Sequence, residues 1–371
     1  MIPVCEPSVG KKELEYVTDC LKTGWISSSG KYIEQFEEKW ASYCGMKYGI
    51  SVSNGTTALQ VALGCLDLEP GDEVIMPTFT IISCAMAVIY NDAKPALVDS
   101  DPDLYTIDTS LIEEKITEKT KAIMPVHIYG HPCDMDEIFR IAEKYDLKIV
   151  EDAAEAHGGE YKGKRCGSLG DISCFSFYAN KIVTTGEGGM ILTDDEGYAE
   201  KARSLRNLCF QQEKRFLHER LGYNFRLTNM QAALGVAQVD KIEDSVNKKR
   251  WIANRYDERL KDIGKLILPI EREWAKNVYW MYAVVLDESS GIDAEGFAAK
   301  LKEYGIGTRP FFLGMHEQPV LRNMGLFKEE HYPVTERIYR YGLYLPSGLT
   351  LTEKQIDHVS ESIKKVLNQK V

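Results

Sequence analysis

From about residue 45 to 245, short apolar runs alternate with segments whose apolar residues recur at helical spacing. Ala122 to Ile128 and Leu147 to Glu151 read as strands. Between them, Asp134 to Tyr145 reads as a helix, with Met135, Ile138, Ile141 and Ala142 along one face. Strand–helix–strand alternation predicts a mainly parallel sheet flanked by helices. Met230 to Leu260 reads as one long helical stretch rich in Ala, Gln, Lys and Arg, a connector. After Leu266 the pattern changes. Tyr279 to Leu286 alternates in the β sense, Ala294 to Tyr304 reads as a helix, and a last helix runs from Thr352 to about Asn368. The pattern therefore predicts an α/β chain with two domains. Residues 1–245 form an N-terminal segment and a large α/β domain; 246–371 form the connector helix and a small C-terminal α+β domain. At 371 residues the chain exceeds what one core usually serves.

Composition narrows the function classes. Hydrophobic residues make up 44% of the chain and charged residues 27%, ordinary for a globular enzyme. A net charge of −11 argues against nucleic-acid binding, yet leaves room for a nucleotide held in a local cationic pocket. No run of eighteen apolar residues occurs, so no membrane span is expected, and the first residues lack the basic and apolar parts of a signal peptide. The nine cysteines are scattered with no Cys-x-x-Cys pair, which points to reduced thiols and a cytoplasmic location. The seven histidines lack metal-ligand spacing, and no metal is expected.

Three segments carry candidate chemistry. Ser176 to Gly189 places Lys181 between an apolar, strand-like run and a glycine-rich turn. An amine attacks carbonyls once burial or neighbouring charge lowers its pKa from roughly 10.4. One such lysine serves Schiff-base chemistry with a substrate aldehyde or with pyridoxal phosphate; a solvated turn lysine is the plain alternative. Lys148 to Gly159 reads as a buried strand ending in Glu151 and Asp152, where open α/β sheets place ligands. An aspartate there can keep a pyridine nitrogen protonated, or both acids can simply cap a helix. Tyr48 to Leu59 reads as strand, Asn54-Gly55 turn, then helix. Amides at that helix start, with the Thr56 and Thr57 hydroxyls, suit a phosphate; an ordinary capped turn is the alternative. Neither a Walker A loop nor the dinucleotide fingerprint is present.

Phosphate seat, carboxylate and lysine in this order resemble the sugar-nucleotide aminotransferases, the DegT/StrS group of the fold-type I pyridoxal phosphate enzymes. The likeness runs over nearly the whole chain: Thr23 to Gly30, Ser53 to Leu59, Gly71 to Thr80, Glu151 to Ala154, Ser176 to Gly189, Gly222 to Asn229, and Gly307 to Pro319. Val126 to Met135 and Ala154-Glu155 most resemble members that aminate C4 of a GDP-linked 4-keto-6-deoxy sugar. The resemblance implies pyridoxal 5′-phosphate as cofactor, with pyridoxamine phosphate formed in turnover, L-glutamate as amino donor, and a nucleotide-linked keto sugar as acceptor. It implies that Lys181 is the Schiff-base lysine and proton shuttle, Asp152 the pyridinium partner and Glu155 a contact to the phenolic oxygen. Ser176 would bind the phosphate. Asn224 would reach it from the neighbouring subunit of a homodimer with shared active sites.

Two positions depart from the family pattern. Related enzymes often carry Gln at Glu155, and many carry a ring-stacking aromatic residue where this chain has Ile81. Trp25, Ser27, Tyr223, Arg226, Arg309 and His316 are candidates for substrate contact; Arg309 could hold a carboxylate or pyrophosphate bidentately. Three other readings compete, of which a NAD-dependent sugar enzyme has the missing dinucleotide fingerprint against it. A related sugar dehydratase typically replaces the lysine with histidine, and a non-catalytic regulator would tolerate loss of Lys181 or Asp152; both residues are intact here.

Overall fold

The computed structural model describes residues 1–211 and 213–368. Its centre is a seven-stranded sheet. The strands, in chain order, are β1 (Tyr48–Val52), β2 (Glu73–Pro77), β3 (Lys94–Val98), β4 (Thr120–Ile123) and β5 (Lys148–Asp152). A short hairpin, β6 (Glu160–Tyr161) and β7 (Lys164–Arg165), precedes β8 (Ile172–Ser176) and β9 (Gly189–Thr193). The sheet order is β1-β9-β8-β5-β4-β2-β3. Only β9 runs antiparallel to its neighbours. Strands covered on both faces read as continuous apolar runs, and Val74, Ile75, Met76, Ile123, Val150 and Ile172 are all buried.

Local chemistry sets the helices. These begin with α1 (Lys11–Thr23), α2 (Lys31–Cys44), α3 (Gly55–Gly64), α4 (Ser83–Ile89), α5 (Met135–Tyr145) and α6 (Glu196–Arg206). In α3, the Asn54 side chain accepts from the Thr57 amide at 2.9 Å, a cap that fixes where the helix starts. In α5, the apolar face of Met135, Ile138, Ile141 and Ala142 is buried, as its spacing predicts. Trp40 of α2 is fully buried edge-on against Phe175 and Phe177. Truncating it to alanine would cost about 3–5 kcal/mol.

The Met230–Leu260 stretch is two helices, α7 (Asn229–Val239) and α8 (Ile242–Leu260). They break at Lys241, whose backbone leaves the helical range (φ −120°, ψ 17°), beside Asp240, which pairs with Lys12 of α1 and Lys39 of α2. The expected strand Ala122–Ile128 also stops early. Pro125 has no N–H to give the ladder, and beyond it only Val126 bridges Asp152.

The second sheet is four-stranded, order β10-β12-β14-β13, built from β10 (Leu266–Ile267), β12 (Tyr282–Leu286), β13 (Arg309–Pro310) and β14 (Gly342–Leu345). Between β10 and β12, β11 (Ala275–Lys276) pairs with β6 in a separate three-stranded sheet, β11-β6-β7, and so ties the C-terminal part to the hairpin that follows β5. The expected strand Tyr279–Leu286 starts only at Tyr282, because Tyr279 adopts a left-handed conformation (φ 47°). Four helices complete this part: α9 (Ala294–Glu303), α10 (Pro319–Asn323), α11 (Pro333–Tyr341) and α12 (Glu353–Asn368). The N-terminal residues join it too: Ile2 bridges Ile306, and the Ser347 amide donates to the Val4 carbonyl at 2.9 Å. The division placed at residue 245 falls inside α8, whose residues contribute to both apolar cores.

Candidate active site

The C-terminal ends of β1, β2, β5 and β8 open on one cavity of about 500 Å³. Asn54, Gly55 and Thr56 enter it from the start of α3, Ile81 and Ser83 from the turn after β2, and Asp152 and Glu155 from β5 and beyond. Ser176, Asn180 and Lys181 come from the segment after β8, and Trp280, Phe312 and Tyr344 from the C-terminal part. This is the strand end at which open α/β sheets hold ligands.

Lys181 is at the centre. Its side chain is 9% exposed; Nζ lies 3.7 Å from Glu155 Oε1 and 3.7 Å from the centre of the Trp280 ring. Burial lowers its pKa from the ordinary lysine value, and the charges of Glu155 and Asp152 partly oppose that shift. Glu155 is buried and anchored by the Tyr129 amide at 2.7 Å. Burial pushes its pKa up to about 7 against the pull of Lys181.

Asp152 is 3% exposed. Oδ2 accepts from the Cys84 thiol at 3.2 Å and Oδ1 from the Ala154 amide at 3.0 Å. Burial raises its pKa above the usual carboxylate value. A buried carboxylate fed by one thiol and one amide has capacity for a cationic donor. The adjacent Glu151 faces the opposite way, as strand alternation requires, and its oxygens already take His127, Ser173 and the amides of Gly167 and Leu169. With Cys166, His127 and Glu151 form a buried cluster whose polar atoms lie within 4.8 Å of one another.

The helix start offers an anion seat. The first amides of a helix have no intrahelical partner, and the helix dipole favours negative charge there. Gly55 is required by close approach: a Cβ at this position would lie 2.6 Å from Ser176 Cβ. Thr56 presents its hydroxyl beside Ser83, at 2.8 Å. Thr57 is turned away; its amide and hydroxyl both serve the α3 capping box. Ile81 lies on the cavity rim, 45% exposed.

The remaining candidates lie elsewhere in the chain. The Trp25 and Ser27 carbonyls hold the Asn229 side chain and amide, and Trp25 lines a separate groove with Thr23 and Lys31. Tyr223 stacks on Phe225 at 4.6 Å, and Arg226 donates to Asn207 Oδ1 at 3.0 Å. Asn224 is exposed and bridges Asn207. Arg309 is exposed on β13, and His316 is buried between Thr78 at 2.9 Å and Glu336 at 3.2 Å. Sequence reasoning did not single out Trp280, Asn180, Cys84 or Ser83. Trp280 was hidden in a run read only for its β alternation. Asn180 carries a buried Oδ1 with no hydrogen-bond partner, on the cavity wall.

A buried acid with no ion-pair partner among the described residues, a helix start open to an anion and a buried lysine of lowered pKa match the three ends of pyridoxal phosphate: pyridine nitrogen, phosphate and aldehyde. The fold and this cavity define a pyridoxal phosphate-dependent aminotransferase of fold type I. Residues 7–364 match the DegT/DnrJ/EryC1/StrS aminotransferase family, and the chain belongs to it. It is 41% identical to a GDP-perosamine synthase of Caulobacter vibrioides, over 99% of this chain and 98% of that one. It is 37% identical to a dTDP-3-amino-3,6-dideoxy-alpha-D-galactopyranose transaminase of Aneurinibacillus thermoaerophilus, over 96% and 95%. The crystal structure of S. venezuelae DesV superposes with a TM-score of 0.90 at 32% identity, covering 97% of this chain and 95% of that one. No helix among the described residues is long and apolar enough to cross a membrane.

Proposed function

We propose that this enzyme transfers the amino group of L-glutamate to C4 of GDP-4-keto-6-deoxymannose, giving GDP-perosamine for surface polysaccharide (O-antigen) synthesis in the cytoplasm. The observation that carries the aminotransferase chemistry is the buried Lys181 amine between Glu155 and Trp280, in one cavity with Asp152. Bound there, pyridoxal phosphate supplies an aldehyde that takes up an amine and a ring that delocalises the electron pair left when a carbon loses its proton. Asp152 holds the proton on the ring nitrogen, its own orientation set by Cys84 and the Ala154 amide. Gly55, Thr56 and Ser176 hold the phosphate, with Asn224 of the partner subunit closing the same seat in a homodimer.

Lys181 removes the proton from the donor's Cα in one half-reaction and delivers one to the sugar carbon in the other. Glutamate leaves as 2-oxoglutarate, and the keto sugar leaves as its amine. Glu155, fixed by the Tyr129 amide, keeps a compensating charge beside the ammonium that Lys181 becomes. Trp280 and Phe312 exclude water from that amine. Trp25, Ser27, Tyr223, Arg226, Arg309 and His316 lie outside the cavity of their own chain. On this reading, contacts by the exposed members of that set would be made across the dimer or on closure over the sugar nucleotide.

The nucleotide assignment rests on the 41% identity to a GDP-perosamine synthase and on Glu155. A dTDP- or UDP-linked keto sugar, aminated at C3 or C4, is the second reading; the 37% identical dTDP-sugar transaminase favours it. One experiment separates them. Loaded enzyme is incubated with glutamate and a panel of GDP-, UDP- and dTDP-keto sugars, and products are read by mass spectrometry. Amination of the GDP sugar alone is expected. Turnover of a dTDP or UDP sugar with the GDP sugar inert overturns the nucleotide assignment, and no amination of any member overturns the sugar reading.

A further inference from the structure

Behind the catalytic lysine lies a second buried lysine that the chemistry above does not use. Lys249 of α8 is 1% exposed. Its ammonium donates to the Trp280 carbonyl at 2.7 Å and to the Ser347 carbonyl at 2.5 Å, and no carboxylate pairs with it among the described residues. An unpaired buried ammonium is expensive, because desolvation opposes the charge. Burial lowers its pKa to about 8. A buried cation with no carboxylate partner calls for a reason.

The carbonyls that it holds supply one. Trp280 is the residue whose ring lies over Lys181 Nζ, at 3.7 Å. Its indole N–H donates at 2.8 Å to the carbonyl of Asn180, the neighbour of Lys181 in sequence. The Cys5 thiol donates to that same carbonyl at 3.6 Å. The Ser347 amide is tied in turn to the Val4 carbonyl. Trp280 is thus fixed at two points, its indole on Asn180 and its backbone on Lys249. The N-terminal residues and the end of β14 lock the assembly from behind.

We propose that Lys249 is a positioning residue: by holding the Trp280 backbone it keeps the indole face on the Lys181 amine and so sets how readily that amine carries a proton. This rests on Lys181 being the reacting amine. An aromatic face favours the ammonium over the free amine. The other groups facing Lys181 are Glu155 at 3.7 Å, Asp152, whose charge also favours the ammonium, and His157, buried behind the site with its pKa lowered to about 3. Tyr344 and Tyr178 line the same cavity. The Cys5 thiol is the titratable group whose charge bears on Lys249. Glu155 and Asp152 approach Lys181 from its β5 side, Glu187 lines the same cavity from the glycine-rich turn, and the Trp280 ring lies against the amine.

The test titrates Lys181 itself. In the cofactor-free full-length chain, the rate of Lys181 acetylation by trace acetic anhydride is followed by peptide mass spectrometry across an alkaline pH series. Trp280→Leu should move the Lys181 titration down by about 0.5–1.5 units. Trp280→Phe should move it less. Lys249→Met should move it in the same direction as Trp280→Leu, and Lys249→Arg, which can still donate to both carbonyls, should restore it. In the loaded enzyme, Lys249→Met should lower kcat and leave both KM values unchanged. If Lys249→Met does not fold, Lys249→Gln takes its place, with one carbonyl still held and an intermediate shift expected. An unchanged Lys181 titration in Trp280→Leu overturns the role of the indole. A shift there with none in the Lys249 variants overturns the role of Lys249. Borohydride reduction of the loaded enzyme, with peptide mapping, independently decides whether Lys181 is the reacting amine at all.

Discussion

Replacing Asp152 by asparagine separates the chemistry of this site from its fold. The side chain keeps its shape, and the oxygen facing the Ala154 amide can still accept. What disappears is the charge. Asp152 is only 3% exposed, so water cannot stand in for it. Removing one partner of a buried, hydrogen-bonded charge pair costs about 3–5 kcal/mol. If that stabilisation is expressed in the transition state, turnover should fall by roughly 10²-fold to 10³-fold or more. The cofactor-free protein should respond in the opposite sense. Burial raises the folded-state pKa of Asp152 above its unfolded value, so the folded chain holds this proton more tightly. Wild-type stability contributed by this group is present below the unfolded pKa, near 3.8, and is lost as pH rises through the folded value. An amide in place of the acid does not ionise; Asp152→Asn should therefore be as stable as wild type in acid and relatively more stable at neutral pH. Thermal melts of the cofactor-free proteins across pH, beside kcat of the loaded forms, measure both limbs. Near-normal turnover by Asp152→Asn would refute the pyridinium role, and an equal loss of melting temperature at every pH would refute the electrostatic argument.

Three further outcomes are expected. Borohydride should remove the visible absorption of the loaded enzyme and leave the label on Lys181, and Lys181→Ala should abolish both labelling and turnover; a label on another lysine contradicts the assignment. Glu155→Gln should erase an ionisation near pH 7 from the kcat profile and flatten the loss of cofactor-free stability as pH rises from about 4.5 through about 7, since burial raises the folded pKa of Glu155; a profile that keeps that ionisation rules out Glu155 as its source. Mixing inactive Lys181→Ala and Asn224→Ala chains should restore activity, because one of the two sites in a mixed dimer regains both residues; no recovery above the parents would place both residues in one subunit's site.

Much of this site was legible because it lies where local sequence rules act. Lys181, Asp152 and the Asn54–Thr56 turn each sit at a strand end or helix start, and strand-end acids, capped turns and glycine-rich bends leave marks in a few consecutive residues. Thr57 shows the limit of such marks. A hydroxyl beside a helix start can face a ligand or cap its own helix, and the sequence Asn54-Gly-Thr-Thr57 permits both; only the fold shows that the second threonine caps. The break at Lys241 was invisible for a different reason. Asp240 beside it pairs with Lys12 and Lys39, more than two hundred residues away in sequence, and helix propensity alone favours continuing. Trp280 combines both difficulties. Its place over Lys181 depends on a left-handed turn at Tyr279 that a β-branched, aromatic-rich run gives no reason to expect, and on a lysine thirty-one positions earlier that reads as one more cation on an amphipathic helix. What a lysine's sequence neighbours cannot show is whether its charge is answered. Lys249 is recognisable only once its burial and the two carbonyls, of Trp280 and Ser347, are known.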